Sequence, residues 1–156
     1  MSSSFDHHRT RRTRRGFTLI EMLVVIAIIA TLAAVVAPNV FRNVGDAQTT
    51  AAKTQIAMIG LALDSYRMDI HTYPTDDEGL GALQTPPTTS EGVANWRGPY
   101  LLRAIPADPW GRPYLYRSPG QANPRRFDLY SLGRDGQIGG TDEDADITSW
   151  GGPVAP

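Results

Sequence analysis

One run of side chains limits what this chain can become. Phe17 to Ala37 is 21 residues with a single ionisable group, Glu21. It follows a cluster of five arginines, Arg9, Arg11, Arg12, Arg14 and Arg15, that stops at Gly16. Coiled as an α-helix the run is about 32 Å long, enough to cross a hydrocarbon core of about 30 Å. Positive charge on the N-terminal side keeps that side cytoplasmic and sends the rest across. Glu21 is the anomaly. An acidic group at the centre of a helix in lipid costs about 3 kcal/mol; one turn into the run the cost is smaller. No Lys or Arg follows before Arg42. A neutralising cation has to come from a new N-terminus or from another molecule. A secretory signal peptide has a shorter apolar region and a polar cleavage region after it. A plain single-span anchor does not account for Glu21. Next to such a span the arginines read as a topology signal rather than a nucleic-acid site.

The segment GFTLIEMLVVIAIIATLAAVVAP resembles the prepilin signature of type IV pilins and type II secretion pseudopilins. The resemblance implies that a membrane prepilin peptidase cuts after Gly16 and that Phe17, the new first residue, is N-methylated. It also implies that Glu21 pairs with the terminal amine of a neighbouring subunit in a helical filament. Residues 1–16 would then be a leader that is removed. Adjacent His7 and His8 in a polar tail are a poor metal site, and they would leave with it. Losing the leader removes five of fifteen basic and one of sixteen acidic side chains, so the remainder is ten against fifteen. A part that acidic is a poor general binder of nucleic acid.

Beyond the apolar run, Pro38 removes a backbone donor and should kink or unwind the helix, and Gly45 weakens it again. From Asp46 a helical pattern resumes. Ile56, Ile59, Leu63, Tyr66 and Ile70 recur at spacings of three and four, one face of an amphipathic helix. Lys53, Asp64, Arg67 and Asp69 fall off that stripe. The spacing predicts a helix from about Phe17 to Ile70, interrupted near Pro38 and ended by Pro74, with Met68 and His71 as packing residues at its end. Its apolar face needs a cover from downstream. Thr75 or Asp76 can cap a short helix with Glu78 in its first turn and Leu80 and Leu83 packing it down. TPPTTSEG is expected as a proline-rich loop. PYLYRS and FDLYSLG are strand candidates, with NPRR as turn material between them. Trp96, Trp110 and Trp150 suit packing in a small domain better than sugar stacking.

GRDGQIGGTDEDADI gathers Asp135, Asp142, Glu143, Asp144 and Asp146 within 12 residues, among Gly133, Gly136, Gly139 and Gly140. Hard oxygen ligands on a tightly turning backbone suit Ca²⁺, which takes six to eight oxygens. Asp142, Asp144 and Asp146 alternate as in half of an EF-hand loop, without the glutamate at its twelfth position or the flanking helices. By itself the pattern also fits a solvated acidic turn. There is no cysteine, so no disulfide stiffens the domain. No cysteine nucleophile, glycine-rich phosphate loop or HExxH motif points to catalysis.

YPTDDEGLGAL, YLLRAIPADPWGRPYLYRSPG and DLYSLGRDGQIGGTDEDADITSW resemble the soluble domain of the major pseudopilin family of type II secretion. That resemblance implies an α+β, type IV pilin-like fold: a long N-terminal helix, its first half transmembrane, packed on a small antiparallel sheet with a calcium-binding loop. It implies Ca²⁺ held by the side chains of Asp135, Asp144 and Asp146 and the carbonyls of Leu132 and Gln137; the roles of Asp142 and Glu143 stay open. The expected divisions are a leader (1–16), a transmembrane and polymerisation helix (17–40), an amphipathic helix half (41–73), a globular domain (74–150) and a tail (151–156). The implied role is a structural subunit, not an enzyme. It would be anchored in the inner membrane with its C-terminal domain in the periplasm. It would polymerise with itself and meet the prepilin peptidase, minor pseudopilins and an assembly platform. A type IV pilin or competence pseudopilin for adhesion or DNA uptake is the alternative. The acidic charge and the missing C-terminal cysteine pair weigh against it.

Overall fold

The computed structural model describes residues 16–88 and 90–154. The leader's arginines, His7 and His8, and the last two residues of the tail lie outside the described residues. Helix α1 spans Leu19–Ile70, 52 residues. It starts two residues later than the apolar pattern suggests because Thr18 caps it. The backbone N–H of Glu21 donates to Thr18 Oγ1 at 3.3 Å, and Thr18-x-x-Glu21 is a sequence-level start signal for a helix. Every side chain from Leu19 to Val36 is exposed, and these 18 residues are long and apolar enough to cross a membrane. The hydroxyl of Thr31 donates to the carbonyls of Ala27 (3.1 Å) and Ile28 (2.8 Å), so this stretch presents no unsatisfied hydroxyl.

The expected interruption near Pro38 is absent: α1 runs through it. Proline deletes a single ladder bond, and the helical turns on either side keep theirs. The helix ends through its backbone. His71 adopts a left-handed conformation (φ 70°), and its N–H donates to the Arg67 carbonyl at 2.8 Å. His71 and Met68 are exposed, so the expectation that they pack at the helix end does not hold. Met68 falls on the helix face away from the buried stripe, and His71 sits in the exposed closing turn.

The amphipathic stripe finds its cover. Ile56, Ile59, Leu63 and Tyr66 are buried with Ala52 and Ala62, and Ile70 packs at the margin. Over them lie Leu83, Tyr114, Phe127, Leu129 and Ile147. Each buried aliphatic side chain contributes about 1.5–3 kcal/mol. The sheet has three strands in sequence order, β1 (Leu115–Arg117), β2 (Asp128–Ser131) and β3 (Ile147–Thr148), all antiparallel. Tyr116 pairs with Leu129, and Ser131 with Ile147. The turn residues between β1 and β2 close around Asp128, whose carboxylate accepts the N–H groups of Gln121, Ala122 and Asn123 at 2.6–3.0 Å. The two-residue β3 is too short to leave a period-two signal in the sequence.

Thr75 and Glu78 make the reciprocal bonds of a capping box, Thr75 N–H and hydroxyl donating to Glu78 Oε2 at 2.8 and 3.0 Å and Glu78 N–H to Thr75 Oγ1 at 3.3 Å, but Glu78 takes the N-cap position of the helical turn and not the expected place in its first turn. A 3₁₀ turn, Gly79–Leu83, follows. Asp76 instead accepts the N–H of Ser118 at 2.6 Å. The supposed loop TPPTTSEG runs into a short helix, α2 (Ser90–Asn95). Trp96 and Trp110 pack against the core, whereas Trp150 stands edge-on to Tyr130 with ring centres 5.9 Å apart.

Tyrosines tie the helix to the rest. Tyr114 donates to Gln55, Tyr100 to Asp69 at 2.8 Å, and Tyr73 to Asp64 at 2.8 Å. Arg126 pairs with the same Asp64 at 2.7 Å. Burial pushes the phenols of Tyr66 and Tyr114 up from 10.0 to about 12, and that of Tyr116 higher still. A phenol whose pKa is raised by folding stabilises the fold fully below its unfolded value. That contribution is lost as pH climbs through the folded value. The melting temperature of the globular part should therefore hold to about pH 10 and fall steeply by pH 12. A scan of tryptophan fluorescence against temperature at stepped pH would detect this, and a flat profile over that window would contradict the burial assigned to these rings.

Candidate assembly segment and metal loop

The chain divides into two compact units, one ending at Val40 and the other beginning at Phe41. Each carries one candidate site. In the first, no described residue beyond its chain neighbours comes within 4 Å of a Cβ placed on Gly16, and Phe17 is 75% exposed. Glu21 sits in the first turn of α1, where the positive helix end favours a carboxylate. Among the described residues no cation pairs with it. An apolar helix exposed on all sides, carrying one unneutralised carboxylate, is suited to lipid or to other helices and not to water.

The second site is the loop between β2 and β3. Its backbone doubles back on itself. Gly136 N–H donates to the Leu132 carbonyl (3.1 Å), Arg134 N–H to the Glu143 carbonyl (3.0 Å) and Asp146 N–H to the Gly139 carbonyl (3.2 Å). Two glycines are needed for this. A Cβ on Gly133 would lie 2.7 Å from the Ala145 carbonyl oxygen, and one on Gly140 would overlap the Asp144 carbonyl. Both also have positive φ.

The expected ligands are brought near one another but not onto one point. Asp135 is exposed and accepts Gln137 N–H at 3.0 Å. Asp146 accepts Gly139 N–H at 2.8 Å through Oδ2, while its Oδ1 is buried with no partner. Both oxygens of Asp144 are turned to Arg134, at 2.9 and 3.2 Å. Arg134 also pairs with Glu143 at 2.6 Å. These carboxylates hold the guanidinium pKa above its ordinary value, the bond to Asp144 foremost. Among the described residues no three acidic or histidine side chains converge as a ready metal cage. The donor set still fits a hard cation: it is all oxygen, and a buried carboxylate oxygen without a donor is costly to leave bare. Glu143 has a further role that the sequence left open. Its side chain lies directly over Gly45 of α1, so that glycine is a seat for the loop rather than a flaw in the helix.

A support for the loop was not legible from the acidic pattern. Asp108 is buried, and its carboxylate accepts Trp110 N–H (3.1 Å), Arg112 N–H (2.8 Å) and the Ser131 hydroxyl (2.6 Å). Arg112, fixed by that turn, donates to the carbonyls of Gly133 and Arg134, the latter at 2.9 Å. The signal in the sequence is the Asp-Pro-Trp-Gly-Arg-Pro run, a turn whose aspartate can bond forward to its own backbone.

A helix apolar throughout its first half and amphipathic in its second, the second half covered by a small antiparallel sheet, is the build of a pilin-like subunit. A family model described as "Type II secretion system (T2SS), protein G" matches residues 39–150, and one for the prokaryotic N-terminal methylation motif matches residues 11–37. The type II secretion system core protein G of Pseudomonas aeruginosa is 48% identical over 140 residues, covering 90% of this chain and 97% of that protein. Its counterpart in Vibrio cholerae is 43% identical over 139 residues, 89% and 93% of the two chains. The crystal structure of the major pseudopilin from the type 2 secretion system of enterohaemorrhagic Escherichia coli superposes with a TM-score of 0.58 at 35% identity. It covers 72% of this chain and 95% of that one. The chain belongs to the type II secretion system protein G family.

Asp108→Ala would strand two backbone N–H groups and the Ser131 hydroxyl in a buried place, at a cost of about 3 kcal/mol. For a domain of about 100 residues the melting temperature should fall by about 10 °C or more. Circular dichroism of the variant against the parent would measure it, and a shift of a degree or two would remove Asp108 from the loop's support.

Proposed function

We propose that this chain is a major pseudopilin: a structural subunit, held in the inner membrane by α1, that polymerises into a periplasmic filament serving export of folded proteins. The observation that carries the reading is the exposed apolar first half of α1, with Glu21 at its start paired to no cation among the described residues. In a filament the other helices cover that surface. A prepilin peptidase cutting between Gly16 and Phe17 creates the amine that neutralises Glu21 of a neighbouring subunit, and N-methylation of Phe17 follows. The N-terminal methylation motif supports such processing. Minor pseudopilins and an inner-membrane assembly platform are the further partners this role calls for.

One experiment in cells tests processing and pairing together. Intact-mass analysis of membrane-extracted protein should show residues 1–16 gone and one methyl group added. Glu21→Val should be processed and inserted at least as well, since a costly group has left the lipid, yet yield no filaments. A full-length product beside a working peptidase, or normal filaments from Glu21→Val, would count against the reading.

The loop we assign to Ca²⁺, with Asp135, Asp144 and Asp146 contributing carboxylates and Leu132 and Gln137 carbonyls. The partnerless Oδ1 of Asp146 supports it. The ion would offset repulsion among the loop's acids and take the place of a disulfide in fixing a loop between two short strands. At free calcium 100 times its dissociation constant the gain is about 2.7 kcal/mol, which should raise the melting temperature by about 10 °C. Melts of the detergent-solubilised chain in calcium and in chelator would show this, with magnesium substituting poorly. Identical melts would reduce the loop to a solvated acidic turn.

A further inference from the structure

We propose that Arg134 is an internal competitor for the metal of the acidic loop and sets the loop's affinity for it. The inference rests on the calcium reading above. The guanidinium grips both oxygens of Asp144, through Nε at 2.9 Å and Nη2 at 3.2 Å, while Nη1 holds Glu143 Oε2 at 2.6 Å. A planar fork on a carboxylate is the strongest form such a pair takes. The backbone from which the fork reaches is anchored, because the Arg134 N–H donates to the Glu143 carbonyl at 3.0 Å.

Asp144 is equally constrained in its backbone. Its carbonyl lies against Gly133 and Gly140, where even a Cβ would not fit. Only its side chain is free to change partner. A cation beside Asp146 therefore draws the Asp144 carboxylate out of its two bonds with Arg134. Glu143 stays over Gly45 and keeps its own bond to the arginine. Without the ion, Arg134 supplies the positive charge that the neighbouring acids need. With the ion, that charge is displaced. Binding thus exchanges one counter-charge for another, and the loop remains folded against α1 in both states.

The pair is partly exposed, 55% at Arg134 and 34% at Asp144, so water and salt weaken it. A contact of this kind changes an equilibrium about fivefold. The test titrates calcium into the full chain in detergent, following heat, and melts the chelated protein, for the parent, Arg134→Ala and Arg134→Lys. Arg134→Ala should bind calcium about fivefold more tightly and melt lower in chelator. Arg134→Lys keeps the charge without the fork and should fall between the two, and it reports on competition if the alanine variant folds poorly. Added salt should narrow the gap in affinity. If all three proteins bind calcium equally, or the variants bind it more weakly, Arg134 is not a competitor although the metal site stands. If the parent binds no calcium at all, the calcium reading fails and this proposal with it.

Discussion

Everything in the globular unit depends on covering one face of α1. Ile56, Ile59, Leu63 and Tyr66 line up within three turns and are all nearly inaccessible to water. Left bare, such a stripe would draw helices together without specificity. The sheet is too small to stand alone: its strands have three, four and two residues, and so short a ladder needs a helix to pack on. Helix and sheet thus stabilise each other. Among the described residues the buried side chains form one core, and the chain has no cysteine for a disulfide.

Polar ties then fix the register of that packing. Tyrosine hydroxyls from three places in the downstream chain reach helix acids or a helix amide, and that of Tyr116 reaches the Pro74 carbonyl just beyond the helix. Asp64 takes both Tyr73 and Arg126. The hydrophobic contact supplies most of the energy and little direction. The hydrogen bonds supply direction, since a shift of one residue along α1 would leave several of them unmade in a partly buried setting. The loop between β2 and β3 obeys the same logic at smaller scale. Asp108 orients Arg112, Arg112 holds the loop's entry at Gly133, and Glu143 seats its exit on Gly45.

A pilin-like subunit has to satisfy two solvents with one helix. The first half of α1 keeps its apolar side chains exposed and is long and apolar enough to cross a membrane. The second half is two-faced because one side is already taken. Pro38 lies between these regimes without breaking the helix. The loss of one ladder bond is small beside the bonds that flank it.

The sequence by itself determined what depends on periodicity and local chemistry. An apolar run with no break reads as a spanning helix. A stripe at three- and four-residue spacing reads as a buried face, and Thr75-x-x-Glu78 as a capping box. These signals are local, and each residue carries its own part of the message. The acidic loop was visible as composition but not as geometry. Tertiary structure alone decided that Asp144 and Glu143 turn to Arg134, and that Asp146 keeps one oxygen bare. It also decided that Gly45 makes room for a glutamate about a hundred residues further along the chain. The two-residue strand β3, the left-handed end of α1 at His71 and the bond from the Ser131 hydroxyl to Asp108 were likewise unreadable. The reason is the same for all of them. Which carboxylate meets which donor depends on where distant segments come to rest, and packing around α1, not the neighbouring residues, sets those positions.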